Sequence, residues 1–219
     1  MQPPILTLVA AGLAVAAAVL FYRFWYLWKQ RRAQWEQAAI ELGLAFQEGV
    51  ELAQTYGHLR FFQRGRGHRT KIALSGTAAG ASVLLADHRY TTGGGKNQST
   101  HDQTLCVLTC ADLRLPDFAL RREVAVFDRL GELFGAQDID FSEDPAFSKA
   151  FVLKGSDENQ LRELFHLERR QRLLQLFSGR FHLEGSGEVL LFHTGRLVKP
   201  AEARDFVLRA GEILDVFRR

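Results

Sequence analysis

The sequence predicts an α+β fold: an antiparallel β-meander and a β-hairpin packed with amphipathic helices, preceded by one transmembrane helix. Three observations predict it. Residues Ile5–Tyr22 form an uncharged run of eighteen. Short apolar segments between residues 59 and 111 are punctuated by glycines, the mark of strands joined by tight turns. Other stretches repeat apolar residues at helical spacing.

The chain divides into an anchor, residues 1–30, and a cytoplasmic α+β domain, residues 31–219, which could itself split at 135/136 into two halves. A spanning helix needs about 20 residues. Pro3 to Trp28 meets this if Arg23 snorkels to the interface, where Phe24, Trp25, Tyr26 and Trp28 form an aromatic belt. No charge precedes the apolar run and bulky residues follow it, so a cleaved signal peptide fits poorly. Residues 3–28 are therefore expected to contact the lipid bilayer. The bases lie after the span, which predicts an inner-membrane, single-pass protein with its N-terminus out and its domain in the cytoplasm.

The elements follow in order. Trp35, Ala38, Ala39 and Leu42 keep helical period up to Gly43, continuing the span. Leu44–Gln47 reads as a strand and Leu52–His58 as a helical turn. Leu59–Arg64, His68–Gly76, Ala81–Tyr90 and Thr104–Ala111 read as strands, with Leu115-Pro116 ending the meander. Glu123–Phe134 carries a helical apolar face. Asp138–Phe147 reads as a loop and Phe151–Leu153 as a strand. A helix capped by Ser156 runs toward Phe177, broken near Glu168–Arg172. Phe181–Glu184 and Glu188–His193 flank a glycine-rich hairpin turn, and Pro200 opens the last helix.

In its second half the chain carries Phe147-Ser148, Phe151, Leu153, Gly155, Asp157-Glu158, Leu161, Leu164-Phe165 and Phe181-x-Leu183-Glu184. With Asp87-x-x-Tyr90-Thr91-Thr92-Gly93-x-Gly95-Lys96 and Gln103-Thr104, this pattern resembles a family of bacterial membrane-anchored proteins. The resemblance covers about residues 35–195. It implies a membrane segment followed by an α+β domain, and it brings no active site to carry over.

Charge excludes one class of partner. Four of the 28 bases and none of the 25 acids fall in residues 1–34, so the remainder holds 24 bases against 25 acids. The soluble part has no global excess to attract nucleic acid. The two cysteines, Cys106 and Cys110, would sit about 13 Å apart on one strand, too far for a disulfide. No cofactor signature is present.

The loop after Tyr90 is the most suggestive stretch. Gly93, Gly94, Gly95 and Lys96 approach a phosphate-cradling loop, but Asn97 replaces the required hydroxyl and a strand follows instead of a helix. Tyr90, these four residues and His101 are the candidate ligand- or partner-gripping set. An alternative places a metal or general base among Asp87, His88, His101 and Asp102. Neighbours on a strand point to opposite faces, so one of each pair at most could join a common site.

The acidic run 138–144 lacks the glycine of a calcium loop. Arg162, Arg169, Arg170 and Arg172 read as a solvated helix face, with anionic lipid as another contact. Ala10, Ala11, Gly12, Ala14 and Ala16–Ala18 give a small-residue face for self-association. The expected function is a non-enzymatic binding or scaffolding module for a protein, a second copy or a membrane surface. The alternative is a membrane-anchored enzyme, with metal dependence left open, using the His and Asp residues near the glycine-rich loop 91–103.

Overall fold

A computed structural model describes residues 4–78, 80–122, 138–177 and 179–218. The first element is a single helix, α1 (Pro4–Leu42), so the apolar stretch and the helix predicted to follow it are one rod. Its apolar side chains from Leu8 to Trp28 are exposed along the whole surface. From Leu8 onward the helix is long and apolar enough to cross a membrane, its most apolar 18-residue window having a mean hydropathy of 1.8.

After α1 come β1 (Ala45–Glu48), the short helices α2 (Leu52–Thr55) and α3 (Arg60–Gln63), then β2 (Arg66–Ala78), β3 (Ala81–Thr92), β4 (Ser99–Thr109) and β5 (Leu115–Arg122). The described chain resumes with α4 (Pro145–Ala150), β6 (Phe151–Gly155), α5 (Glu158–Leu164), α6 (Leu167–Leu176), β7 (His182–Gly187), β8 (Val189–His193) and α7 (Ala203–Arg218). The strands form one eight-stranded sheet in the order β1-β2-β3-β4-β8-β7-β5-β6. Every described pairing is antiparallel. The predicted meander and hairpin thus join edge to edge through β4 and β8.

Alternation along the strands sorts residues onto two faces. Val83, Leu85, Cys106, Leu108, Phe118, Leu120, Leu183 and Phe192 face a thick layer built from the end of α1 and from α4 to α7. Aromatic rings fill it: Phe118 stacks on Phe217 at 5.5 Å and meets Phe165 edge-on at 5.1 Å. Gly185 lies under the Phe118 ring, where a Cβ would collide with Cε1. Ala73, Ala86, Tyr90, Leu105, Val107 and Leu191 face the other way, against Leu52, Leu59, Phe61 and Phe62 of the α2–α3 segment.

Several expectations change. Arg60–Gln63 is a helical turn, because Phe61 and Phe62 both bury on one side. The meander does end before Leu115-Pro116, since β4 pairs with β8 and not with β5, but these residues also begin β5, where a bulge between Leu115 and Phe118 absorbs the proline. Asp157, not Ser156, caps α5 by accepting from the Gln160 N–H. The helix break falls at Phe165–His166. The predicted helix at 123–134 lies outside the described residues.

The basic stretch on α6 is only partly solvated. Arg169 and Arg170 are buried. Arg169 donates to the Val216 carbonyl at 2.9 Å and to the Leu164 carbonyl. Arg170 donates to Asp144 at 2.9 Å and to the Phe165 carbonyl at 3.0 Å, and lies over the Phe141 ring at 4.2 Å. These two side chains tie α6 to its neighbours and do not face lipid. Arg162 and Arg172 do stay on the surface, paired with Glu158 and Glu168 at helical spacing. Asp144 also caps α4, and Asp138 pairs with Lys154 at 2.9 Å, so the acidic run is spent on local structure.

Candidate functional site

Asp87 and His88 are neighbours on β3 and point to opposite faces, as strand geometry requires. Each organises a polar group at the same level of the sheet, and the two groups differ in kind.

Asp87 is 3% exposed on the helix-packed face. Its carboxylate accepts from Arg31 Nε at 2.7 Å and Nη2 at 3.0 Å, a two-pronged pair. It also accepts from the Trp35 indole at 2.9 Å and from the Thr104 hydroxyl at 2.6 Å. Thr104 Oγ1 in turn accepts from the Val198 N–H at 2.9 Å, and Arg31 donates to the Val198 carbonyl at 2.8 Å. The buried charge is fully satisfied. Arg31 and Trp35 lie on α1 within the two turns that follow the exposed apolar stretch, so this knot clamps α1 to the sheet.

His88 faces the other way. Five of the seven histidines gather on that face: His68, His88, His101, His182 and His193. His68 Nε2 lies 2.9 Å from the Arg64 carbonyl and so donates to it. His68 Nδ1 then accepts from His88 Nε2 at 3.0 Å, and His88 Nδ1 accepts from the Thr70 hydroxyl at 3.1 Å. Burial pushes the His88 pKa down to about 4. Burial also lowers His68 and His101, takes His182 to about 4 and holds His193 well below 6.5. The imidazoles are neutral hydrogen-bonding surfaces near pH 7.

Phe61 is the hub of this face. Its ring meets His88 at 5.6 Å, Tyr90 at 5.3 Å and His193 at 5.2 Å, all edge-on. Its N–H donates to Glu184 at 2.9 Å across the sheet. Burial raises the Glu184 acid to about 7, against the pull of that N–H and of Arg60 and Arg64.

Beyond these rings the face opens into a cavity of about 230 Å³, walled by Arg64, Tyr90, His101, Gln103, His193 and Thr194 among others. A shallower cleft of about 560 Å³, reaching Gly93, shares Arg64 and Glu184 with it.

The structure divides the sequence-predicted set. Tyr90 and His101 stack at 4.9 Å and enter the cavity wall. Gly94, Gly95 and Lys96 are exposed at the β3–β4 hairpin tip, a short 3-10 turn. Gly93 starts that turn with φ of +74°, and a Cβ there would collide with the Asn97 carbonyl, so its glycine identity serves the turn. Of the four His and Asp residues, Asp87 is committed to Arg31 and Trp35. Asp102 is held by Arg89 at 2.6 Å and Lys71 at 3.1 Å, which keep its carboxyl below the usual range. The described residues bring together no group of three His, Cys, Asp or Glu side chains placed to hold a metal.

Arg64, His68, His182, His193 and Thr194 were not singled out from the sequence, and Gln103 and Glu184 stood there only in the family-like pattern, with no site role. The available signal was His182, Glu184 and His193 alternating with apolar residues on two short strands that also pair with each other.

No protein-family model and no curated protein sequence matches the chain. Among solved structures it is similar to the crystal structure of the mycobacterial trehalose monomycolate transport factor A, with a TM-score of 0.59. That likeness covers 86% of this chain and 93% of the other at 11% sequence identity. At such identity it is a likeness of fold.

Proposed function

We propose that this chain is a membrane-tethered binding module without chemistry of its own. Its domain is held at the cytoplasmic face of the inner membrane, where it recognises a protein or membrane-surface partner. The observation that carries this reading is the unbroken α1 rod, clamped onto the core by Arg31 and Trp35 through Asp87. A flexible leash would only concentrate the domain near the bilayer. A clamped rod also fixes which surface meets the membrane, which matters for recognition at that surface. The positive-inside rule supports the cytoplasmic side, since Lys29, Arg31 and Arg32 follow the apolar stretch.

The protein of similar fold is named a transport factor. From it we take only a class of role, an accessory protein beside a membrane transport process. Self-association through Ala10, Ala11 and Gly12 is a compatible addition.

The test inserts Gly-Ser-Gly-Ser between Gln30 and Arg31, uncoupling the rod while keeping both parts. Site-specific photocrosslinking from Lys96 and Ser99 in native membranes reads out partner contact. The intact chain should resist alkaline extraction, be protected from external protease and give one reproducible crosslink. The insertion should weaken that crosslink at least tenfold. A chain freely released from membranes, or a crosslink indifferent to the insertion, contradicts the reading.

A further inference from the structure

Three residues that each carry a buried, unpaired polar atom line one cavity. Among the described residues, Arg64 Nε, Gln103 Nε2 and Thr194 Oγ1 have no hydrogen-bond partner, and all three residues line the 230 Å³ cavity on the histidine face. Gln103 is 3% exposed. The Arg and Gln nitrogens are donors, and the Thr hydroxyl can donate. Buried polar groups are normally paired, so an unpaired cluster of donors in one wall points to an acceptor-rich ligand.

Charge agrees with the donor set. Among the described lining residues, Arg64, Arg121, Arg122, Lys154 and Arg180 are cationic and Glu184 is the carboxylate. Arg122 is held by the Phe177 carbonyl and Lys154 by Asp138, so they contribute field and need not touch the ligand. Glu184 is a weak internal competitor, because burial keeps much of it protonated near neutrality. The volume lies below the range of pockets that enclose a whole drug-sized molecule, so it suits a headgroup. Phe61, Tyr90, Ala119 and Val152 add an apolar border.

Register gives the cavity its place. Arg31 meets Asp87, while Leu44, just past the end of α1, packs on Gly76, whose partner on β3 is Val83. So α1 runs antiparallel to β3, and the apolar stretch leaves the domain beyond the level of Asp87. Gln103 pairs with His88 and His101 with Tyr90, on that same side.

We propose that the cavity binds an oxyanion, a phosphate or carboxylate group, between Arg64, Gln103 and Thr194, and that an anionic lipid headgroup supplies it. The lipid source rests on the reading of α1 as a membrane span. The oxyanion site does not.

The test titrates the intact chain in neutral detergent by calorimetry with three probes: dihexanoyl phosphatidylglycerol, dihexanoyl phosphatidylcholine and inorganic phosphate. Phosphatidylglycerol should fill one saturable site per chain, with phosphatidylcholine at least tenfold weaker. Arg64→Gln should weaken binding at least tenfold. Gln103→Glu adds a carboxylate to the wall that Arg64 also lines, so it should abolish binding and raise the melting temperature. Competition by inorganic phosphate with no gain from the lipid supports the oxyanion site and overturns the lipid source. No saturable binding of any probe overturns the site. So does binding unchanged in an Arg64→Gln chain that still melts cooperatively, or a Gln103→Glu chain that melts lower and binds as before. Failure of membrane retention would retire the tether and leave this titration interpretable.

Discussion

The two faces of the sheet at the level of Asp87 use polar residues in opposite ways. On one face Asp87, Arg31, Trp35, Thr104 and Val198 close a network in which the buried carboxylate is fully partnered. On the other, Gln103 and Arg64 leave donors unpaired beside neutral histidines. The residues involved are chain neighbours: Asp87 beside His88, Gln103 beside Thr104. A closed network fixes geometry, and here it fixes the anchor. An open donor set is available to something else. The contrast gives the first face a structural role and agrees with the oxyanion site proposed on the second.

The sharpest way to break this contrast is to open the closed side. Asp87→Ala removes the acceptor for two donors from α1 and one from β4. Breaking a buried pair from one side costs roughly 3–5 kcal/mol. Urea unfolding of the detergent-solubilised protein should report a loss of that size, with Asp87→Asn losing less. A loss under about 1 kcal/mol would leave the knot without the role given to it.

The open side has its own signature in pH. His88 titrates near 4 in the fold against 6.5 ordinarily, so its contribution is present above 6.5 and lost as pH falls toward 4. The size is on the order of 3 kcal/mol. His182 and His193 act in the same direction. Glu184 acts in the opposite one: raised to about 7, it stabilises below 4.5 and that benefit fades as pH rises to 7. Three histidines outweigh one acid, so the denaturation midpoint should fall between pH 6.5 and 4. Glu184→Gln should steepen that fall, and an unchanged slope would count against the buried acid.

Two smaller effects sharpen the comparison. Gly185→Ala pushes a methyl into the Phe118 ring on the packed face and should cost about 1–3 kcal/mol, read by the same unfolding assay. Lys96→Ala, at the exposed hairpin tip, should change stability by no more than about 0.5 kcal/mol. A large effect there would restore the tip as a structural or gripping element.

Much of the architecture was legible in the sequence because period and turn chemistry are local. Trp35, Ala38 and Ala39 kept helical phase from the span, and the structure continues α1 through them. Strand alternation already separated Asp87 from His88. The site was less legible, because it is assembled across strands. His182 and His193 are paired across the hairpin, while Gln103 comes from a strand 90 residues before His193. Pro116 marked the end of the meander but concealed β5, because a bulge accommodates it. Arg169 and Arg170 misled because their charge suggested water, whereas carbonyl ends and Asp144 bury them.

The central claim is that the span and the domain form one rigid body. Pulsed electron paramagnetic resonance in lipid nanodiscs tests it most directly, with spin labels at Ala17 and Ser99 in a Cys106→Ala, Cys110→Ala background. The clamp at Asp87 predicts one narrow distance distribution, broadened when Gly-Ser-Gly-Ser is inserted after Gln30. A distribution equally broad with and without the insertion would contradict it.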